Sequence, residues 1–277
     1  MDQKKLFALL QLTDSAFPIG GFSHSLGLEA YAQQYAVSRK KMDPEVLLHA
    51  LICIIENSGS LSLPFVRAAH NVVTVRNSTK CDQHQNVLGE LQAQVKHESN
   101  GQSTGSSEIG NETKARDDVL SVSIQSLVQL DKLYEACSSN HIARRSSTRQ
   151  GRSLLEASLH TFPSLERQGM TGISTELPHC HHAVLHGAIM GGLGLGLEDT
   201  ISSFVFGIVR TLVATAVRLD VLGAMEGQKL QWKLQEICAD VIERNKAKTV
   251  EQAGIKFPVV DILQNTHDTL FAKLFYS

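Results

Sequence analysis

An all-α fold, a single-domain multi-helix bundle over residues 1–277 with a buried apolar helical hairpin, is what this sequence predicts, on three observations. Apolar residues recur at spacings of three and four along several segments. Helix-start signals stand ahead of those segments, and no comparable set of alternating, strand-like runs occurs. Hydrophobic residues are 42% of the 277, enough for a sizeable core.

The elements follow in chain order. After an amphipathic N-terminal segment, Pro18-Ile19-Gly20-Gly21-Phe22-Ser23-His24-Ser25 makes a stiff bend. Pro18 fixes its own backbone, and Gly20 and Gly21 tolerate positive φ. Ser23 is placed to cap a helix opened by Leu26, Leu28 and Glu29. The bend is either a site or a fold-defining corner. Asp43-Pro44-Glu45 reads as N-cap, first-turn proline and early acid for a helix carrying Val46, Leu47, Leu51, Ile54 and Ile55, which Gly59 closes. Ser62-Leu63-Pro64 then opens another, through Phe65, Val66, Ala69 and Val73.

Residues from about 96 to 118 are mostly Gly, Ser, Asn, Thr and charged, with no large apolar residue except Ile109, and read as a flexible polar insertion. A helix over 119–137 follows, apolar at Leu120, Ile124, Leu127, Tyr134 and Cys137. Residues 183–197 and 201–217 are too short for a bilayer span of roughly 20 residues, and read as the buried hairpin. Gly187 and Gly191 allow close helix approach there, and Arg210 needs a partner. A last helix is apolar at Val259, Leu263, Thr266, Leu270 and Leu274, and ends in Phe271, Leu274, Phe275 and Tyr276. Aromatics at such an end are natural anchors in a partner groove.

Composition excludes some functions. Lys and Arg number 26 against 28 Asp and Glu, a net charge of −2, so no global field draws the chain to nucleic acid or anionic lipid. Cys53, Cys81, Cys137, Cys180 and Cys238 lack CxxC spacing, and the odd count points to a reducing compartment. The N-terminus lacks the pattern of a signal peptide, so the expected location is cytoplasmic, with no membrane and no nucleic acid as partner.

Three motifs could carry chemistry. Gly191-Gly192-Leu193-Gly194-Leu195-Gly196 resembles a phosphate loop, but Leu197-Glu198 replaces the Lys-Ser/Thr that would hold phosphate and magnesium. It reads as a helix end and turn. His179, Cys180, His181, His182 and His186 are ligand types suited to nickel, zinc or copper, with 182 and 186 one helical turn apart. Capping and polar packing are their competing role. Arg145, Arg149 and Arg152 share a face on a helix, fit to grip acidic groups of a partner or simply to be solvated. No hydrolase elbow surrounds Ser23, so an enzyme built on Ser23, His24 and Glu29 is the least supported reading.

The Pro18–Glu29 run resembles the P-[VI]-G-G-F-S-[YH]-S-x-G-L-E signature of the urease accessory protein UreF family. Residues 145–152, 216–223 and 274–277 are similar to that family's Arg-rich, A-x-[RK]-L-x-P-L-G-Q and C-terminal S-R-L-F-x-S segments, in the same order. Val221 and Ala224 depart from the family's usual Pro and Gln. The chain length and the insertion suggest a eukaryotic, plant-like member.

The resemblance implies an all-helical, non-enzymatic adaptor in nickel insertion and urease metallocentre assembly. It implies a homodimer that bridges UreD (UreH) and the GTPase UreG, modulates that GTPase and acts on apo-urease. No cofactor is expected to be tightly bound, nickel being handled transiently. Partner-binding residues are then expected among Pro18, Gly20, Gly21, Phe22, Ser23, His24, Glu29, Arg145, Arg149, Arg152, Arg218, Phe271, Leu274, Phe275 and Tyr276. The alternative is a metallochaperone that carries nickel on the 179–186 cluster.

Overall fold

The computed structural model describes the backbone of residues 2–38, 42–97 and 108–277, and the side chains of 2–36, 42–75 and 123–277. Residues 98–107 of the expected insertion and the side chain of Cys81 lie outside the described residues. Among those described the regular structure is all helical, as the periodicity predicts. In chain order the helices are α1 (Gln3–Thr13), α2 (Leu28–Ser38), α3 (Pro44–His97), α4 (Glu108–Cys137), α5 (His141–Thr161), α6 (Pro163–Arg167), α7 (Ile173–Glu176), α8 (His182–Gly192), α9 (Leu197–Arg218), α10 (Ala224–Asn245) and α11 (Pro258–Asn265), with short 3-10 turns between.

The predicted break at Gly59 to Pro64 does not exist, because α3 runs straight through both residues. Pro64 has no N–H to give the Ser60 carbonyl one turn back, and that carbonyl accepts from the Gly254 N–H instead, at 3.3 Å. Gly59 marks a close crossing: a Cβ there would lie 2.3 Å from Cγ1 of Val241 on α10. Both residues that read as punctuation serve tertiary packing.

Helix α8 is the centre of the molecule, with every residue from Ala183 to Gly192 buried. Its main neighbour is α3 rather than its hairpin partner α9. Gly187 permits this approach, since a Cβ on it would sit 2.1 Å from the Val66 carbonyl oxygen. The glycine-rich run after α8 is a helix end, as predicted. Gly194 takes φ of 71°, and Leu195 N–H returns to the Met190 carbonyl at 3.0 Å, closing the last turn.

Residues Pro44–Val75 and Leu197–Arg218 form helices long and apolar enough to cross a membrane. The second corrects the expected short run, because the helix begins four residues before 201 and takes in Glu198 and Asp199. Their apolar side chains are used internally: Leu51, Ile55, Phe65 and Val66 on one, and Leu212, Val213 and Ala216 on the other, are buried. Arg210 finds its partner in the Thr13 carbonyl at the end of α1.

The chain end also departs from expectation. Helix α11 stops at Asn265, residues 266–269 make a 3-10 turn, and the rest runs without regular structure back to the Pro18–Glu29 corner.

Candidate functional site

The corner is built from the bottom up by Gly20, whose φ of 72° lets Gly21–Ser23 turn as a short 3-10 segment. Ser23 therefore caps no α-helix. Helix α2 begins only at Leu28, whose N–H reaches the Ser25 carbonyl at 3.0 Å.

The tail closes on this corner. Tyr276 N–H donates to the Ser23 carbonyl at 2.8 Å, and Ser25 N–H donates to the Ser277 carbonyl at 2.6 Å. Nδ1 of the buried His24 lies 2.6 Å from Ser277 Oγ. Beneath them the buried Glu29 carboxylate accepts from His267 Nε2 (3.0 Å), Leu274 N–H (2.5 Å) and Phe275 N–H (3.3 Å). A buried carboxylate needs such donors, and here three of them come from the last eleven residues.

Arginines clamp the outside. Arg145 makes two bonds to Asp268, at 3.1 and 2.8 Å, and lies with Arg149 over the Tyr276 ring, 5.1 and 4.5 Å from its centroid. Arg218 stacks 4.3 Å from the Phe275 centroid and donates to the Phe22 carbonyl. Arg145 holds the Asp268 carboxyl well below its ordinary range against the opposing effect of burial, helped by His141 and Lys273. Arg152 turns from this cluster to Cys180.

The residues expected to bind partners thus converge, Arg152 apart, but divide into two sets. Gly21, His24, Glu29 and Phe275 are buried, His24 and Glu29 against this chain's own tail and Gly21 beside Gln150 and Thr211, so they support the corner from within. Pro18, Phe22, Arg149, Arg218, Phe271, Leu274 and Tyr276 stay exposed, Phe22 at 70% and Phe271 fully; Gly20, Ser23 and Arg145 are intermediate. Ser23, His24 and Glu29 do not form a relay, since His24 pairs with Ser277 and Glu29 with His267. The sequence reading missed His267 and Asp268, which have no local signal, and held Ser277 only as the last residue of the 274–277 similarity.

The histidine cluster splits as well. Asp131 of α4, fully buried, accepts the backbone N–H groups of His179 (2.8 Å), Cys180 (3.0 Å) and His181 (2.8 Å). It stands on the apolar stripe of Leu127 and Tyr134, an acid where periodicity expects a hydrophobe, and that was the available signal. Cys180 takes φ of 63°, and its carbonyl presses on Gly151 of α5, where a Cβ would lie 1.9 Å away. Its thiol reaches the Leu177 carbonyl.

His182 and His186 face Phe204, at ring distances of 5.3 Å each, and His186 Nε2 pairs with Thr200 O and Ser203 Oγ. His179 and His181 point the other way, to Glu135 of α4. His181 Nε2 is 2.9 Å and His179 Nδ1 3.9 Å from Glu135 Oε2. The five expected ligands therefore do not form one site, and Cys180, His182 and His186 are spent on packing. Glu135 carried no sequence signal, because on helical spacing alone it reads as a solvated charge.

Burial drives His24 down to about 4, with Arg149, Arg145 and His267 adding to it. Burial likewise takes His186 to about 3 and His182 to about 4. These imidazoles are neutral in the fold while the unfolded chain protonates near the ordinary 6.5. Between pH 6.5 and the folded values the unfolded state binds more protons, so stability falls as pH falls. Urea midpoints measured against pH are expected to hold above pH 7 and drop below 6.5, by about 1.4 kcal/mol per pH unit for each of His24 and His186. His186→Gln is expected to remove one such share of the slope.

Known proteins resemble the chain over most of its length. A family model described as UreF matches residues 43–235. Urease accessory protein F of Oryza sativa subsp. japonica is 29% identical over 278 residues, spanning 99% of this chain and 86% of the relative. Urease accessory protein F of Arabidopsis thaliana is 26% identical over 270 residues, 96% of this chain and 90% of the relative. Urease accessory protein UreF of Trichodesmium erythraeum is 26% identical over 276 residues, with 99% and 97% coverage.

Proposed function

Since the chain belongs to the UreF family and so has an accessory role in urease maturation, we propose that it acts there by docking proteins rather than by catalysis. It bridges UreD (UreH) and the GTPase UreG during nickel delivery to apo-urease, and modulates that GTPase. One observation carries this reading: at the tail-closed corner the Glu29 carboxylate and the tail's backbone amides are used internally, while aromatic rings and arginines stay outside. Phe22, Phe271, Leu274 and Tyr276 expose apolar surface beside Arg149 and Arg218. Aromatic and Arg side chains ringed by polar groups are the usual composition of an interface centre.

The test is co-expression with cognate UreD, UreG and apo-urease, with and without this chain, reading urease activity and bound nickel together. Both are expected to depend on the chain, and equal activation without it overturns the reading. Point variants then locate the contacts. Phe271→Asp is expected to weaken capture of UreD, and Phe22→Arg that of UreG, each by about tenfold or more. Neither should shift the unfolding midpoint, because both rings are solvent-exposed. Deleting the whole tail is a poorer test, since it also strips Glu29 of its partners.

A further inference from the structure

We propose that Glu135, His179 and His181 form a binding site for one late first-row divalent metal ion, such as Ni²⁺ or Zn²⁺. Their donor atoms, Glu135 Oε2, His179 Nδ1 and His181 Nε2, all lie within 4.8 Å of one another. Bonds of about 2.0–2.2 Å to an ion put neighbouring donors roughly 3–3.5 Å apart. The observed 2.9 and 3.9 Å separations bracket that spacing, so small side-chain rotations suffice. Two imidazoles and a carboxylate suit borderline divalent ions and leave further positions open for water or another ligand. The set is therefore built for exchange rather than for a closed structural site.

The surroundings hold each ligand in place, as outer partners do in metal sites. Arg144 occupies Glu135 Oε1 at 2.8 Å, so Oε2 is the oxygen that faces the two imidazoles. Ser147 Oγ lies 3.1 Å from His181 Nδ1. A metal on Nε2 requires the tautomer with hydrogen on Nδ1, which then donates to that hydroxyl. Asp131 pins the backbone of all three residues from His179 to His181. Access is graded: His181 is fully buried at the floor, while the side chains of His179 and Glu135 are 36% and 25% exposed. An ion enters from solvent past two ligands and settles on the third.

The test is titration of the purified full chain with Ni²⁺ and, separately, Zn²⁺ by calorimetry, for the wild type, His179→Ala and Glu135→Gln. Both variants change partly exposed side chains, and circular dichroism confirms their fold. One equivalent is expected to bind to the wild type, with affinity at least tenfold lower in each variant and unchanged in Cys180→Ser. X-ray absorption of the loaded protein should show two imidazole ligands. Wild-type affinity in both variants, or no binding in the wild type, overturns the site. Urease activation by the same variants is a separate readout: metal binding lost with activation intact leaves the adaptor reading standing, and the converse spares the site.

Discussion

Glu29→Ala is expected to lower the free energy of unfolding by about 3–5 kcal/mol. The midpoint of thermal unfolding should drop on the order of 10 °C. The side chain is 1% exposed, and its partner His267 is fully buried. Removing the carboxylate leaves an imidazole and the amides of Leu274 and Phe275 without an acceptor. Each abandoned buried donor costs about 1–3 kcal/mol. Glu29→Gln keeps one oxygen but turns an NH₂ group towards donors, so an intermediate loss is expected. Circular dichroism against urea gives the energies. Carboxypeptidase digestion gives the local effect, since a released tail should be trimmed under conditions where the wild-type tail survives. A loss below about 1 kcal/mol would mean that the tail contributes little to holding the corner.

Gly187→Ala should be among the most damaging single-methyl changes in the molecule's interior. The added carbon would sit 2.1 Å from the Val66 carbonyl oxygen and 3.1 Å from the His70 nitrogen. Both are backbone atoms of α3, so no side chain can swing aside, and the two helices must separate. Overpacking typically costs 1–3 kcal/mol. A backbone clash along the most buried helix puts this change at about 3 kcal/mol or more, beyond the roughly 1 kcal/mol that alanine gains in helix propensity. Gly207→Ala in α9 is the internal control. Nothing lies within 4 Å of its added carbon, so it should be neutral or stabilise by up to about 1 kcal/mol. Urea unfolding of the pair separates steric from propensity effects on helical glycines.

These two residues also mark how far the sequence could be read. The spacing of Gly187 and Gly191 announced a close helix approach, but the neighbour is α3, more than a hundred residues earlier, and nothing local names it. The helix over 119–137 was legible because its apolar face repeats at helical period. Pro64 was misread because the group that accepts its consequence, Gly254 N–H, comes from a distant loop. The apolar character of the tail was legible, whereas the destination of Phe275 was not, because Arg218 and the Phe22 carbonyl meet only in three dimensions. At the histidine cluster the residue types were visible, but the split between its two faces depends on Asp131 holding the loop. Glu135 enters only through that geometry.

The bond from Leu274 to Glu29 joins residues 245 positions apart. On a ribosome adding roughly 5–20 residues per second, Glu29 waits about 12–50 s before its partners exist. During that interval its carboxylate stays hydrated, and the corner with Phe22 has no tail to lie against. The corner is thus closed only once residues 267–275 have been made, and a chain halted before residue 267 holds Glu29 without any of these three donors.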